Sequence, residues 1–111
     1  MANQSNDNNQ GDSEIVRVRL PRKDQTFGMV ERRLGGARMN IRCLDKKVRI
    51  CRIPGALRRS LWVREGNIVL VQPWELQGDE KGDVIYKYSN SQVQWLKKKG
   101  YLQQLEDLEE F

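Results

Sequence analysis

The sequence contains no histidine. That removes the side chain whose ordinary pKa lies nearest neutrality, the commonest general base, and it removes the Cys/His zinc sites as well. Only two cysteines are present, Cys43 and Cys51, and they do not have CxxC spacing. They read as small strand residues, since a disulfide is out of place in a reducing compartment. Neither a GxSxG nor a GxxxxGK[ST] motif occurs, so the nucleophile elbow and the P-loop are excluded. No apolar run approaches the roughly 20 residues of a membrane span, and the first residues lack the basic-then-apolar order of a signal peptide. These absences argue against an enzyme, a metal centre, a cofactor or a membrane protein, and they predict a cytoplasmic chain. Aromatic residues are also scarce, at 7%, and none lies between Phe27 and Trp62.

Positive charge is abundant, and it is segregated. Residues 1–14 carry three acids and no base, whereas residues 15–64 carry fifteen Lys or Arg against Asp24, Glu31 and Asp45. Residues 65–103 balance, and residues 104–111 add Glu106, Asp107, Glu109 and Glu110. Twelve of the fifteen bases in the cationic half are arginine, whose planar fork suits two-point contacts with phosphate. Lysine would have served solubility equally well, so the pattern points to a polyanion partner, nucleic acid first.

With 111 residues, of which 38% are hydrophobic, the chain is one domain with a small core and room for tails. Residues 1–14 are too polar to offset the entropy of ordering and read as a disordered acidic tail. Residues 15–90 hold the strand signals. "IVRVRL" (15–20) alternates apolar and basic residues, which suits either a short strand or an extended arm gripping phosphates. "TFGMVERRL", "ARMNIRCL" and "VRICRI" read as three strands joined by tight turns, with Gly35 and Gly36 suited to the first. Alternation puts Met39, Ile41 and Cys43 on the core face of the second strand and Arg38, Asn40 and Arg42 on the other. "IVLVQPW" and "DVIYKY" supply a fourth and a fifth strand, the fourth ending near Pro73.

Between strands 3 and 4, "ALRRSLW" is long enough for about two helical turns, with Leu57 and Leu61 facing inward. Residues 91–103 read as a C-terminal helix, with Ser91 as N-cap, Gln94 three positions on and Gly100 past the end. Lys97, Lys98 and Lys99 in its last turn suit either phosphate binding or the helix dipole. Residues 104–111 form an acidic tail in which Leu105, Leu108 and Phe111 make an apolar repeat suited to a partner. The expected architecture is therefore mainly β: a five-stranded OB-fold barrel with a short helix between strands 3 and 4 and a C-terminal helix.

In that setting Trp62 either plugs the barrel end or lies along its rim. Leu57 and Leu61 already supply the inward side, which favours the rim, where the indole would stack on a base or ribose for ~1–3 kcal/mol. Arg58 and Arg59 would clamp adjacent phosphates. Non-specific single-strand binders line strands 2 and 3 with rings, and this chain has guanidinium groups there instead. The face suits the phosphates and shape of folded RNA.

The ordered series from "TFGMVERRLGGARMNIRCLDKK" through "LRRSLW" to "GDVIYKYS" resembles the archaeal translation initiation factor 1A family, the counterpart of bacterial initiation factor 1, over residues 15–102. The resemblance implies a non-enzymatic, monomeric factor. It would bind rRNA in the A site of the small ribosomal subunit and assist initiator tRNA placement and start-codon selection. RNA-facing positions of the family match Arg38, Arg58, Arg59 and Trp62. Two basic positions common in the family's helix are Ala56 and Ser60 here, and Arg42, Lys46, Lys47 and Arg64 are the candidates to compensate. The resemblance also suggests other initiation factors as partners, with the large GTPase factor meeting Leu105, Leu108 and Phe111. A structural ribosomal protein and a general RNA chaperone are the competing readings.

Overall fold

The computed structural model describes residues 17–103. The expected tails at 1–14 and 104–111 lie outside the described residues. Five strands, β1 (Thr26–Gly35), β2 (Arg38–Cys43), β3 (Val48–Arg52), β4 (Ile68–Pro73) and β5 (Lys81–Lys87), precede one helix, α1 (Asn90–Lys98). They close into a barrel in the order β1-β2-β3-β5-β4. All neighbours are antiparallel except β3 and β5, which run parallel through Ile50–Arg52 and Lys81–Asp83. This closed, mainly β architecture is consistent with the expected OB fold.

Two apolar clusters hold the barrel together, and β4 shows why its sequence is an unbroken apolar run. Val69 and Val71 point into the barrel beside Val30, Met39, Ile41, Cys43, Cys51 and Val84. Ile68 and Leu70 point outward, into a second cluster with Phe27, Tyr88, Leu96 and Leu102. A strand covered on both faces has no polar side to alternate with. The outer cover is α1, and burying Leu96 and Leu102 completely contributes about 1.5–3 kcal/mol each. Both cysteines are buried free thiols, as strand packing predicts. Burial pushes the Cys51 thiol up to about 12.

Gly35 and Gly36 both have positive φ in the β1–β2 turn, and Ala37 follows them into the left-handed region at φ 60°. Pro73 ends β4, as expected. On β2 the alternation holds at every position, with Met39, Ile41 and Cys43 buried and Arg38, Asn40 and Arg42 outside.

Two local expectations need revision. The chain between β3 and β4 makes no two-turn helix. It forms a single 3-10 turn at Gly55–Leu57, and the Leu57 carbonyl then accepts the backbone N–H groups of Ser60 (3.1 Å) and Leu61 (2.9 Å). So short a segment cannot offset helix nucleation, and the Ser60 hydroxyl also competes for the Leu57 carbonyl at 3.4 Å. Leu57 and Leu61 nevertheless pack against the barrel core, as predicted. The α1 N-cap is Ser89, in a reciprocal capping box with Gln92, two residues before the expected Ser91. The spacing S-x-x-Q occurs at both places, and the earlier one binds. Of the two readings of residues 15–20, a short strand or an extended arm, the strand is absent from the described part, 17–20. Val18 packs into the outer cluster, while the Arg19 carbonyl accepts the Tyr88 hydroxyl and the Arg17 carbonyl accepts Gln92 Nε2. The segment is an extended strap on the wall formed by β1, β4 and β5.

Among the described residues no helix is long and apolar enough to cross a membrane.

Candidate nucleic-acid interface

The site is built outward from the β1–β2 turn. This turn ends one strand at Arg33–Gly35 and starts the next at Arg38, so both arginines reach the same barrel rim. The register sets Arg38 directly opposite Arg52 on β3, and like charges so placed repel. Arg52 is drawn off by Asp83 at 3.2 Å and by the Trp74 ring, whose centroid is 5.0 Å from its guanidinium carbon. Arg38 keeps no carboxylate partner among the described residues and is exposed.

Trp62 stands on this rim with 76% of its surface exposed. The ring does not plug the barrel end, because Ile53 and Val63 already fill the layer below it. Two hollows flank it. One of about 400 Å³ is lined by Arg33, Arg38, Ile53, Leu61, Trp62 and Val63 among others. The other, of about 640 Å³, is lined by Arg33, Trp62, Val63, Arg64 and Glu65. An open indole face bordered by guanidinium groups can stack on a base while the cations meet the adjoining phosphates.

The eight residues singled out in the sequence fall into two groups. Arg38, Trp62 and Arg64 border the shared hollows. Arg58 lines neither hollow, and its Nε donates at 3.1 Å to the carbonyl of Ile53, which does line one. Arg59 is exposed in the turn that follows, with no ion-pair partner among the described residues. Arg42 lies farther along β2, ion-paired to Glu31. Lys46 and Lys47 lie in the β2–β3 turn, at the opposite end of β2 from Arg38, and Lys47 Nζ is held by Asp79 at 2.6 Å. Of the four candidates to compensate for Ala56 and Ser60, Arg64 is the one that lines a hollow together with Trp62.

Sequence reasoning missed Arg33, which borders both hollows. Its place depends on β-bulges in β1, between Val30 and Arg32 and between Arg33 and Gly35, and such irregularities shift side chains in a way that strict alternation does not reveal. Arg49 is the reverse case, a base in the cationic half that has no surface role. It is buried on β3, with its guanidinium on both Asp45 oxygens (3.1 and 2.8 Å) and on the Gly78 carbonyl. It ties the β2–β3 turn to the β4–β5 loop. Burial would raise the Asp45 carboxyl, but the Arg49 guanidinium and the Lys47 N–H hold it below its usual range.

Comparison with known proteins gives the chain a family. The family model described as Translation initiation factor 1A / IF-1 matches residues 15–110. The chain belongs to this family. A protein from Pyrococcus abyssi (strain GE5 / Orsay) named "Translation initiation factor 1A" is 52% identical over 91 residues, covering 82% of this chain and 80% of that one. A protein of the same name from Thermococcus kodakarensis is 50% identical over 101 residues, covering 89% and 86%. Another from Methanococcus aeolicus is 52% identical over 94 residues, covering 83% and 90%. The family consists of translation initiation factors and is not known for enzymes.

Proposed function

We propose that this member of the initiation factor 1A family binds rRNA in the A site of the small ribosomal subunit, where it assists initiator tRNA placement and start-codon selection. The observation that carries the reading is the exposed Trp62 indole, which shares its two hollows with Arg33, Arg38 and Arg64. A bland solvated surface would have no use for an open indole among unpaired guanidinium groups. Within the OB-fold reading, the outer face of β2 carries Arg38, Asn40 and Arg42 in place of rings, which suits shaped, phosphate-rich RNA more than a ladder of splayed bases. A general single-strand chaperone is accordingly disfavoured. The charge pattern, with acids at both ends of the sequence, also disfavours a permanent ribosomal protein.

Co-sedimentation with isolated small subunits, with full ribosomes and with free single-stranded RNA tests this reading. Reversible, salt-sensitive attachment to the free small subunit alone is the expected outcome. Arg38→Ala, Arg58→Ala and Arg59→Ala should each weaken that attachment and flatten its dependence on salt, because each lost phosphate contact releases fewer counterions. Equal binding to free single-stranded RNA would favour the chaperone instead. Contacts with other initiation factors, and with the large GTPase factor through Leu105, Leu108 and Phe111, belong to the same reading. Those three residues lie outside the described region.

A further inference from the structure

The strap that precedes β1 concentrates unpaired charge on a backbone held in place by the barrel. Arg17, Arg19, Arg22 and Lys23 lie within a span of seven residues, and all four are exposed. Among the described residues none of them has an ion-pair partner. The backbone beneath them is fixed at several points. The Arg17 carbonyl accepts Gln92 Nε2 at 3.1 Å, and the Arg19 carbonyl accepts the Tyr88 hydroxyl. The Arg22 N–H donates to Gln25 Oε1 at 2.9 Å, and Gln25 Nε2 in turn donates to Gln72 at 3.1 Å. Val18 is packed into the outer cluster between these ties. The Arg19 guanidinium lies over the Tyr86 ring at 5.6 Å. Ordinary solvated charge does not need an anchored backbone. Holding the main chain by its carbonyls while leaving the cationic side chains outside lowers the entropy lost when those side chains bind.

The strap is also well separated from Trp62. It enters β1 at Thr26, whereas the arginine rim begins at Arg33 and lies at the other end of that ten-residue strand. At roughly 3.3 Å per residue the seven steps from Thr26 to Arg33 span up to about 23 Å. A single phosphate group on the rim cannot serve both.

We propose that residues 17–23 form a second phosphate-binding surface, which grips the backbone of an RNA segment distinct from the one stacked at Trp62, so that the barrel bridges two strands. The proposal rests on the reading that the protein binds rRNA at the Trp62 rim, and it adds a second contact to that one. Four cations with no ion-pair partner among the described residues favour phosphate, and Leu20, 40% exposed within the strap, is the large apolar side chain there that a protein partner would use instead.

Tethered hydroxyl-radical probing tests it. Cys43 and Cys51 are fully buried, so a single added cysteine on the full chain takes an iron–EDTA label selectively. Labels at Asp24→Cys and at Ser60→Cys, with purified small subunits, should cleave two different stretches of rRNA. The triple variant Arg17→Gln, Arg22→Gln, Lys23→Gln should lower the slope of log Kd against log salt by about 2 to 3. Its melting temperature should stay within a few degrees of the parent, since the ties run through main-chain groups and through Gln25, Tyr88 and Gln92. An unchanged slope overturns the proposal. So does cleavage from position 24 that is absent or confined to the stretch cleaved from position 60, and so does weaker binding at constant slope, which would point to a protein neighbour. If the label at position 60 gives no cleavage while the one at position 24 does, the Trp62 reading falls, and the bridging of two strands is overturned with it.

Discussion

Trp62 and Arg49 both break the rule that rings go inside and charges go outside, and the two exceptions have different physical causes. The indole is outside because Leu57, Leu61, Ile53 and Val63 already close the barrel beneath it. Trp62→Ala should therefore leave the melting temperature within a few degrees, while weakening small-subunit binding by the ~1–3 kcal/mol of a lost stacking contact. Thermal unfolding and co-sedimentation read the two effects separately, and severe unfolding would make the ring a core residue. Arg49 is inside because Asp45 and Gly78 satisfy it there. Asp45→Asn leaves that buried cation without its carboxylate and should cost about 1–3 kcal/mol, moderated by the partial exposure of Asp45. The pH dependence has a definite sign. The Asp45 carboxyl is held below its ordinary 3.8 in the folded state, so its contribution is complete above that value and is lost as pH falls through the depressed pKa. Urea unfolding between pH 6 and pH 2 should show part of the acid-side decline vanish in the Asn variant.

Elements whose residues have one consistent neighbour were legible in the sequence. β2 is one, because period-two alternation and a single buried face admit only one register. β4 is another, its unbroken apolar run explained by an interior face and a face under α1. The stretch after Pro54 was not legible, because "ALRRSLW" satisfies a helix pattern at its apolar positions while being too short to nucleate one, and the outcome rests on which donors reach the Leu57 carbonyl. The strap was ambiguous for the same kind of reason: its alternation fits a strand, and only the side chains of Tyr88 and Gln92, distant in sequence, decide that its carbonyls bond elsewhere. The rim was half legible. Arg38 followed from alternation, while Arg33 needed the bulges. Close approach at β1 also carries a test. A side chain at Gly28 would meet the Ile41 side chain and crowd Val71 and the Arg42 carbonyl, and Ile41 has no room to yield. Gly28→Ala should cost about 1–3 kcal/mol by chemical denaturation. Ala37→Gly should act in the other direction, because an L side chain at φ 60° is disfavoured by about 1 kcal/mol, and a rise in melting temperature would register the relief.

At the scale of the whole molecule the charge is distributed as a field. The cationic half of the sequence supplies both the Trp62 rim and the strap, on a barrel whose own core needs one of those bases, Arg49. The four acids of residues 104–111 lie outside the described region, but their effect on the long-range field follows from charge alone. Removing residues 104–111 deletes Glu106, Asp107, Glu109 and Glu110 and raises the formal net charge of +5 by four. A more cationic protein approaches a polyanion faster, and the gain is screened beyond about 10 Å at 0.1 M salt. The truncated chain should therefore keep its RNA binding, associate faster with small subunits at low ionic strength, and become indistinguishable from the full chain as salt rises. Stopped-flow association rates across a salt series decide the matter. A truncation that abolishes binding at every salt concentration would make residues 104–111 part of the contact itself, whereas one that alters behaviour only when a second initiation factor is present would assign them to a protein partner.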